Sequence, residues 1–313
     1  MSLNRPDPWT LRVLETPEEI AAIEDMQRLV WPGSETDVVP LHILITIARN
    51  GGLVFGAFDS TYDEEHLASV EGDASSLIGF VYGFPGLYFT PDGPRPKHCS
   101  HQLGVRPNFR GRGLGFALKR AQWQMVRHQG LDLITWTFDP LVSRNAYLNI
   151  ARLGAVCNTY LREIYGELKD DLNRGLLTDR FRVDWWVNTR RVERRLSRRA
   201  RLPLDLAHFL SAEAEIINPT EIGKDGLPRP ASKVNIPSPG AESDNDALLL
   251  VEIPSNYHAL LEVEPALALE WRLHTRPIFE ELFERGYLVT DFVHLPGNHS
   301  RSFYILSHGE STL

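Results

Sequence analysis

The run Val105-Arg106-Pro107-Asn108-Phe109-Arg110-Gly111-Arg112-Gly113-Leu114-Gly115 reads as the end of a strand, a glycine-rich turn and the opening of a helix. Upstream, Cys99 to Val105 has an extended pattern. Downstream, Leu114, Ala117, Leu118, Ala121 and Met125 recur at helical spacing, and Gly130 supplies the stop. A helix that starts on glycines leaves backbone N–H groups without partners. Together with the positive end of the helix dipole they favour a phosphate. Gly111, Gly113 and Gly115 present no side chain to obstruct a pyrophosphate.

Two other phosphate loops are excluded. The dinucleotide fingerprint G-x-G-x-x-G fails because the third glycine comes one residue early, at Gly115, and Phe116 stands in its place. The P-loop fails because the chain has no Gly-Lys-Ser or Gly-Lys-Thr. What remains is Arg110-x-x-Gly113-x-Gly115. Its surroundings narrow the reading. Leu131 to Phe138 is a strand pattern with Ile134, Trp136 and Phe138 on one face, broken by Asp139-Pro140. Ser143 is then placed to cap a helix through Asn145, Tyr147 and Leu148 to Leu153, ended by Gly154.

Arg110-x-x-Gly113-x-Gly115 resembles the [Q/R]-x-x-G-x-[G/A] signature of the GNAT (Gcn5-related N-acetyltransferase) superfamily. The Asp139-Pro140, Asn145-Ala146 and Leu153-Gly154 pairs resemble its second motif, so the likeness covers roughly residues 95–165. Further runs extend it to a long-form group within that superfamily. They are His101-Gln102-Leu103-Gly104-Val105, Trp136 to Pro140, Thr178-Asp179-Arg180-Phe181, Trp271-Arg272-x-x-Thr275-Arg276 and Gly286-Tyr287. The resemblance implies an α/β fold, a mixed twisted sheet flanked by helices, with an acyl-CoA-binding domain over residues 1–200. A C-terminal α/β extension follows over 201–313, with a loop at about 218–246. Its strand–helix–strand order suggests a degenerate GNAT-like half.

Other elements read in the same way. Trp9 to Leu14 is a strand, and Thr16 caps a helix from Pro17 to Val30. A second helix runs from about Pro40 to Arg49. Leu53 to Phe58 and Leu77 to Phe84 are strands separated by a polar loop from Asp59 to Ser76. Val156 to Tyr165 and Phe181 to Val187 are closing strands. Beyond a linker from Asn218 to Asp246, rich in Pro, Gly, Ser and Asp, come strand Leu248 to Ile253, a helix from about Glu264 to Arg285, and strands Tyr287 to Leu295 and Ser302 to Leu306.

Composition sets the class. The chain has 313 residues, 42% hydrophobic and 24% charged, enough for one or two domains with a large core. A net charge of −8 gives no reason to expect nucleic acid. Arg190 to Arg201 carries seven arginines without interleaved aromatics, and is expected to be a solvated helix face. Two cysteines, Cys99 and Cys157, without zinc spacing, fit a reducing compartment and no metal. No apolar run is long enough to span a membrane, and no signal-peptide core opens the chain. The expected location is cytoplasmic, and a homodimer is left open.

Acyl transfer from a thioester to an amine needs a deprotonated amine, donors for the oxyanion, positioning, and a proton for the leaving thiolate. By the resemblance, the backbone of Leu103, Gly104 and Val105, following a strand bulge, faces the pantetheine and thioester. Gly104 suits the bulge or a close approach of the cofactor. Arg110, Gly111, Arg112, Gly113, Leu114 and Gly115 hold the pyrophosphate, and Asn145 bonds the pantetheine arm. His101 is the candidate base, with His98 in reserve on the opposite face of a regular strand. Cys99 reads as packing. The family tyrosine that protonates the thiolate falls at Ile150 here, so Tyr147, one turn earlier, is its candidate substitute. If acceptor or acyl group carries a carboxylate, Arg180, Arg272 and Arg276 are candidates by residue type. The expected function is acyl-CoA-dependent N-acylation, with acetyl-CoA or another acyl-CoA as co-substrate, of a small primary amine such as an amino acid. Acetyl and succinyl are the acyl groups considered. The alternatives are a CoA-binding sensor that has lost efficient chemistry and a protein acetyltransferase.

Overall fold

A computed structural model describes residues 8–33, 35–60, 76–166, 177–197, 204–237 and 248–308. The polar loop after Asp59, the arginine-rich stretch after Ser197 and the end of the expected linker lie outside the described residues, except at their edges. The fold is mixed α/β, with mostly antiparallel strands flanked by helices. Two compact units divide between Thr135 and Trp136.

In the first unit, the strand order is β1 (Trp9–Val13), β2 (Leu53–Asp59), β3 (Leu77–Thr90), β4 (Gly93–Val105), then β5 (Leu133–Phe138). The first four are antiparallel neighbours. β4 and β5 run parallel, with His98 and Cys99 opposite Ile134 and Thr135. Helix α1 (Pro17–Val30) starts as its sequence dictates. Thr16 and Glu19 form a reciprocal capping box, and Pro17 occupies the first turn. α1 and α2 (Leu41–Arg49) pack on one sheet face, where Ile20, Ile23, Met26, Val30 and Leu44 join Val54, Phe58, Phe80 and Tyr82 in a core. The other face is taken by α3 (Leu114–His128), whose Leu114 and Leu118 lie against the backbone at Gly79.

The strands of the β3–β4 hairpin are longer than expected. β3 continues past Phe84 to Thr90, and β4 begins at Gly93 rather than Cys99. Pro85, Pro94 and Pro96, which argue against a central strand, are tolerated in this outer part of the ladder. Phe89 near its tip is 81% exposed.

In the second unit the order is the end of β5, β7 (Arg180–Trp186), β6 (Val156–Leu161), β12 (Tyr287–Leu295), β13 (Arg301–His308), β11 (Leu249–Ile253) and β8 (Glu215–Ile216). Between β5 and β6, α4 (Ser143–Ala146) runs into a wider π-type turn, Tyr147–Arg152. The expected cap is not made. The Ser143 hydroxyl bonds that of Ser302 at 2.9 Å, and Val142 occupies the cap position without a side-chain bond.

The basic segment forms α5 (Arg190–Leu196), which is not a purely solvated face. Arg191 donates to the carbonyls of Gly154 and Thr290, and Arg195 donates to that of Ala151 and pairs with Asp291 at 2.8 Å. The expected linker is also structured where described. After α6 (Leu206–Ser211), Asn218 is fully buried, and β9 (Glu221–Ile222) pairs with β10 (Pro228–Arg229). The Asn218 amide bonds both backbone groups of Glu252, at 2.8 and 3.0 Å. A short helix, α7 (Tyr257–Val263), precedes the expected C-terminal helix, which is α8 (Pro265–Glu284), with Pro265 in its first turn. Trp271, Phe279, Phe181, Tyr304 and Phe292 fill the core beneath them. No described helix is long and apolar enough to cross a membrane.

Candidate active site

The turn after β4 has the geometry its glycines suggest. Pro107–Phe109 makes one 3-10 turn. Gly111 and Gly113 follow with φ of +77° and +91°. A Cβ at either would meet nothing within 4 Å, so backbone conformation, not crowding, is what demands glycine there. Gly113 is the N-cap of α3 and offers no side chain to its first turn. The first helical bond runs from the Ala117 N–H to the Gly113 carbonyl. The backbone N–H groups at Leu114 and Gly115 therefore come before the helical ladder begins. Arg110 braces the turn from within, its Nε donating to the Val105 carbonyl at 3.1 Å. Arg112 is exposed, with its guanidinium 5.1 Å from the centre of the Phe109 ring. Leu114 is buried and anchors the helix start.

The strand leading to the turn carries a bulge, and it lies just before Leu103, Gly104 and Val105. Tyr82 stands opposite Gln102, and Gly83 opposite Ser100, so His101 is the extra residue. Before the bulge, His98 and Ser100 face α3. Gln122 lies 3.1 Å from the His98 ring, and Lys119 donates to Ser100 at 2.7 Å. After it, Gly104 faces the other way, and a Cβ there would sit 2.6 Å from the Phe80 ring. Gly104 is therefore required by Phe80, whereas the bulge itself belongs to His101.

The bulge turns His101 and Gln102 toward the α1 and α2 face. The His101 ring meets Tyr82 and Phe84 edge-on, with centroids 5.5 and 5.9 Å apart. Its outer edge is exposed, but the protein around it desolvates the imidazole and holds its pKa below the ordinary histidine value. The neutral ring, able to accept a proton, is thus favoured at neutral pH. Beside it, the Tyr82 hydroxyl and the Gln102 Oε1 are buried without a hydrogen-bond partner among the described residues. Reading the sequence missed both. The signal was their position, since one precedes Gly83 and the other follows His101, but only pairing reveals that they are opposite.

His98 does not fit the reserve role. It is fully buried, and burial with the nearby Lys119 pushes its pKa down to about 3, so it stays neutral. Lys119 is itself buried, and desolvation brings its pKa down to about 7. A lysine whose folded pKa lies below its unfolded value, near 10.4, binds fewer protons in the folded state between the two. Folding should therefore grow more stable as pH rises from about 7 toward 10. The stability of wild type relative to Lys119→Met is expected to rise by about 1.4 kcal/mol for each pH step of one across that window. Denaturant titrations of both proteins across it would show this. Parallel curves would refute a buried, titrating Lys119.

Asn145 and Tyr147 belong to the second unit, and both are exposed, Asn145 in α4 and Tyr147 at the head of the π-type turn. Ile150, at the family's tyrosine position, is completely buried. Cys99 is half-buried.

No protein-family model and no curated protein matches the sequence. The solved structures it resembles include acetyltransferases. NAA60 of Arabidopsis thaliana, solved in complex with acetyl-CoA, is 16% identical over 57% of this chain and 99% of its own, with a TM-score of 0.44. The ribosomal-protein-S18-alanine N-acetyltransferase of Escherichia coli is 13% identical over 58% of this chain and 95% of its own, with a TM-score of 0.41. Naa20 of Chaetomium thermophilum, in complex with a bisubstrate analogue, is 13% identical over 56% of this chain and 86% of its own, with a TM-score of 0.42.

Proposed function

We propose that this chain is a GNAT-type N-acyltransferase that moves an acetyl or succinyl group from coenzyme A to the primary amine of a small molecule, an amino acid being the first candidate. The observation that carries the reading is a bulged strand running into Arg110-x-x-Gly113-x-Gly115, with positive φ at Gly111 and Gly113 and an uncapped helix start behind them. That turn suits a pyrophosphate, and the backbone of Leu103, Gly104 and Val105 suits the pantetheine and the thioester carbonyl.

In this reading His101 takes a proton from the ammonium, directly or through water. The free amine attacks the thioester carbon, forming the C–N bond as the carbonyl electrons move to oxygen. Backbone N–H groups of β4 stabilise that oxyanion. Its collapse breaks the C–S bond, the nitrogen gives up its second surplus proton to solvent, and the thiolate leaves with the electron pair to take a proton from Tyr147 or from solvent. Transfer is direct and needs no acyl-enzyme.

The test is release of free thiol from acetyl-CoA and succinyl-CoA over a panel of D- and L-amino acids, polyamines and lysine peptides. Amine-dependent release with amino acids or polyamines is the expected result, and the faster donor identifies the acyl group. Release with lysine peptides alone would replace the small-molecule acceptor by a protein one. CoA binding without release from any acceptor would favour a sensor, the second reading, which the buried Ile150 at the family's acid position motivates.

A further inference from the structure

The three arginines suited to a carboxylate by residue type all lie in the second unit, and their surroundings set them apart. Arg276 is fully engaged, with its Nε and Nη2 bonding the two carboxylate oxygens of Asp179 at 2.8 and 3.0 Å. Arg180 donates from Nη1 to the Asp179 carbonyl at 2.9 Å and lies 3.8 Å from the Asp139 carboxylate. Its guanidinium stands over the Tyr165 ring, 5.7 Å from the centre.

Arg272 differs from both. It is 1% exposed. Its Nη2 donates to Asp139 Oδ2 at 2.6 Å, but Nε and Nη1 are buried with no acceptor among the described residues. Tyr257 closes one side of the guanidinium, its ring centre 5.2 Å from Cζ. Asp139 Oδ1 accepts from the Leu141 N–H at 2.9 Å, so both oxygens of that carboxylate are already engaged once. Unsatisfied N–H groups on a buried cation are costly and rare, and each calls for an explanation.

The charges point the same way. Three buried or nearly buried guanidiniums, those of Arg180, Arg272 and Arg276, face two buried carboxylates, those of Asp139 and Asp179. Glu163, 3.5 Å from Arg276, is half exposed and does not enter the interior. Among the described residues this buried set is left one positive charge in excess, and water would answer the donors but not the charge.

We propose that Arg272, with Arg180 across Asp139, forms an anion site for the carboxylate group of a small molecule. A carboxylate brings one negative charge, which closes the balance, and acceptor oxygens suited to guanidinium N–H groups. A phosphate dianion would overshoot by one charge. Arg180 is 8% exposed, and Tyr165, over whose ring its guanidinium stands, is 47% exposed. If the chain is the N-acyltransferase proposed above, the ligand is the acceptor or acyl group, and that link alone rests on that reading. The site itself uses none of the residues of the acyl-CoA turn, and CoA binding by the same protein is an independent readout.

The experiment is a titration of the full chain, labelled on arginine, followed by NMR of the side-chain Nε–H groups. The probes are butyrate, its neutral isostere butyramide, and inorganic phosphate, each at millimolar concentration. The Arg272 resonance is identified by its loss in Arg272→Lys. In wild type, butyrate should shift it saturably, butyramide should not, and phosphate should bind more weakly than butyrate. Arg180→Met should weaken butyrate by about tenfold, the scale of one charge-assisted hydrogen bond. Equal responses to butyrate and butyramide, no saturable shift with butyrate, or tighter binding of phosphate would each overturn the assignment. Arg272→Gln serves for the assignment if Arg272→Lys fails to fold, and the wild-type titration with the three probes decides without Arg180→Met.

Discussion

Replacing His101 with alanine is expected to lower kcat/KM for acyl transfer by about 10²–10⁴, the usual range for a positioned general base. CoA affinity should be unchanged, because His101 sits on the bulge and not in the turn. The pH profile separates this role from a structural one. A histidine base works only when neutral, and burial holds the His101 pKa below the ordinary value. With rates referred to the unprotonated amine, activity should persist below pH 6.5 before it falls, and that acidic limb should vanish in His101→Gln. A variant that keeps the limb, or loses activity only through lost CoA binding, would remove His101 from the chemistry without touching the fold.

The second large effect is expected at Gly113. Its φ of +91° lies where an L side chain costs about 1–2 kcal/mol. No neighbour crowds a Cβ there, so Gly113→Ala tests backbone conformation alone. The cost must fall on stability if the turn keeps its shape, or on the cofactor if it relaxes. Gly113→Ala should therefore weaken CoA binding by about 5–30-fold or lower folding stability by the equivalent free energy. Gly113→Val, branched at Cβ and poorer still at positive φ, should abolish measurable CoA binding. Calorimetric CoA titration with parallel denaturant unfolding covers both outcomes. A Gly113→Ala protein unchanged in both would exclude this turn as the phosphate cradle.

The parts of the molecule that were legible in the sequence are those governed by local rules. The capping box at Thr16 and Glu19, the stops at Gly130 and Gly154, and the turn at Gly111–Gly113 all follow from a few adjacent residues. What escaped depends on pairing between distant residues. A bulge adds one residue and leaves no composition of its own, so the turning of His101 and Gln102 to one face is invisible until Tyr82 is placed opposite. Pro85, Pro94 and Pro96 hid the outer half of the hairpin because the rule against proline assumes a central strand. The buried face of α3 was misread in part, since its stripe includes Lys119 and Gln122, polar residues that face His98 and Ser100. Arg272 and Asp139 are separated by more than a hundred residues, and only their meeting shows which arginine has donors to spare.

The buried Asn218 has a consequence for how this protein keeps to itself. Its side-chain amide occupies the N–H and carbonyl of Glu252 on β11, beyond the point where the two-residue strand β8 stops pairing. A strand margin with open backbone groups is a template on which another chain can add, the first step of ordered aggregation. Here one amide group, mimicking a peptide bond, seals that margin without committing another strand to it.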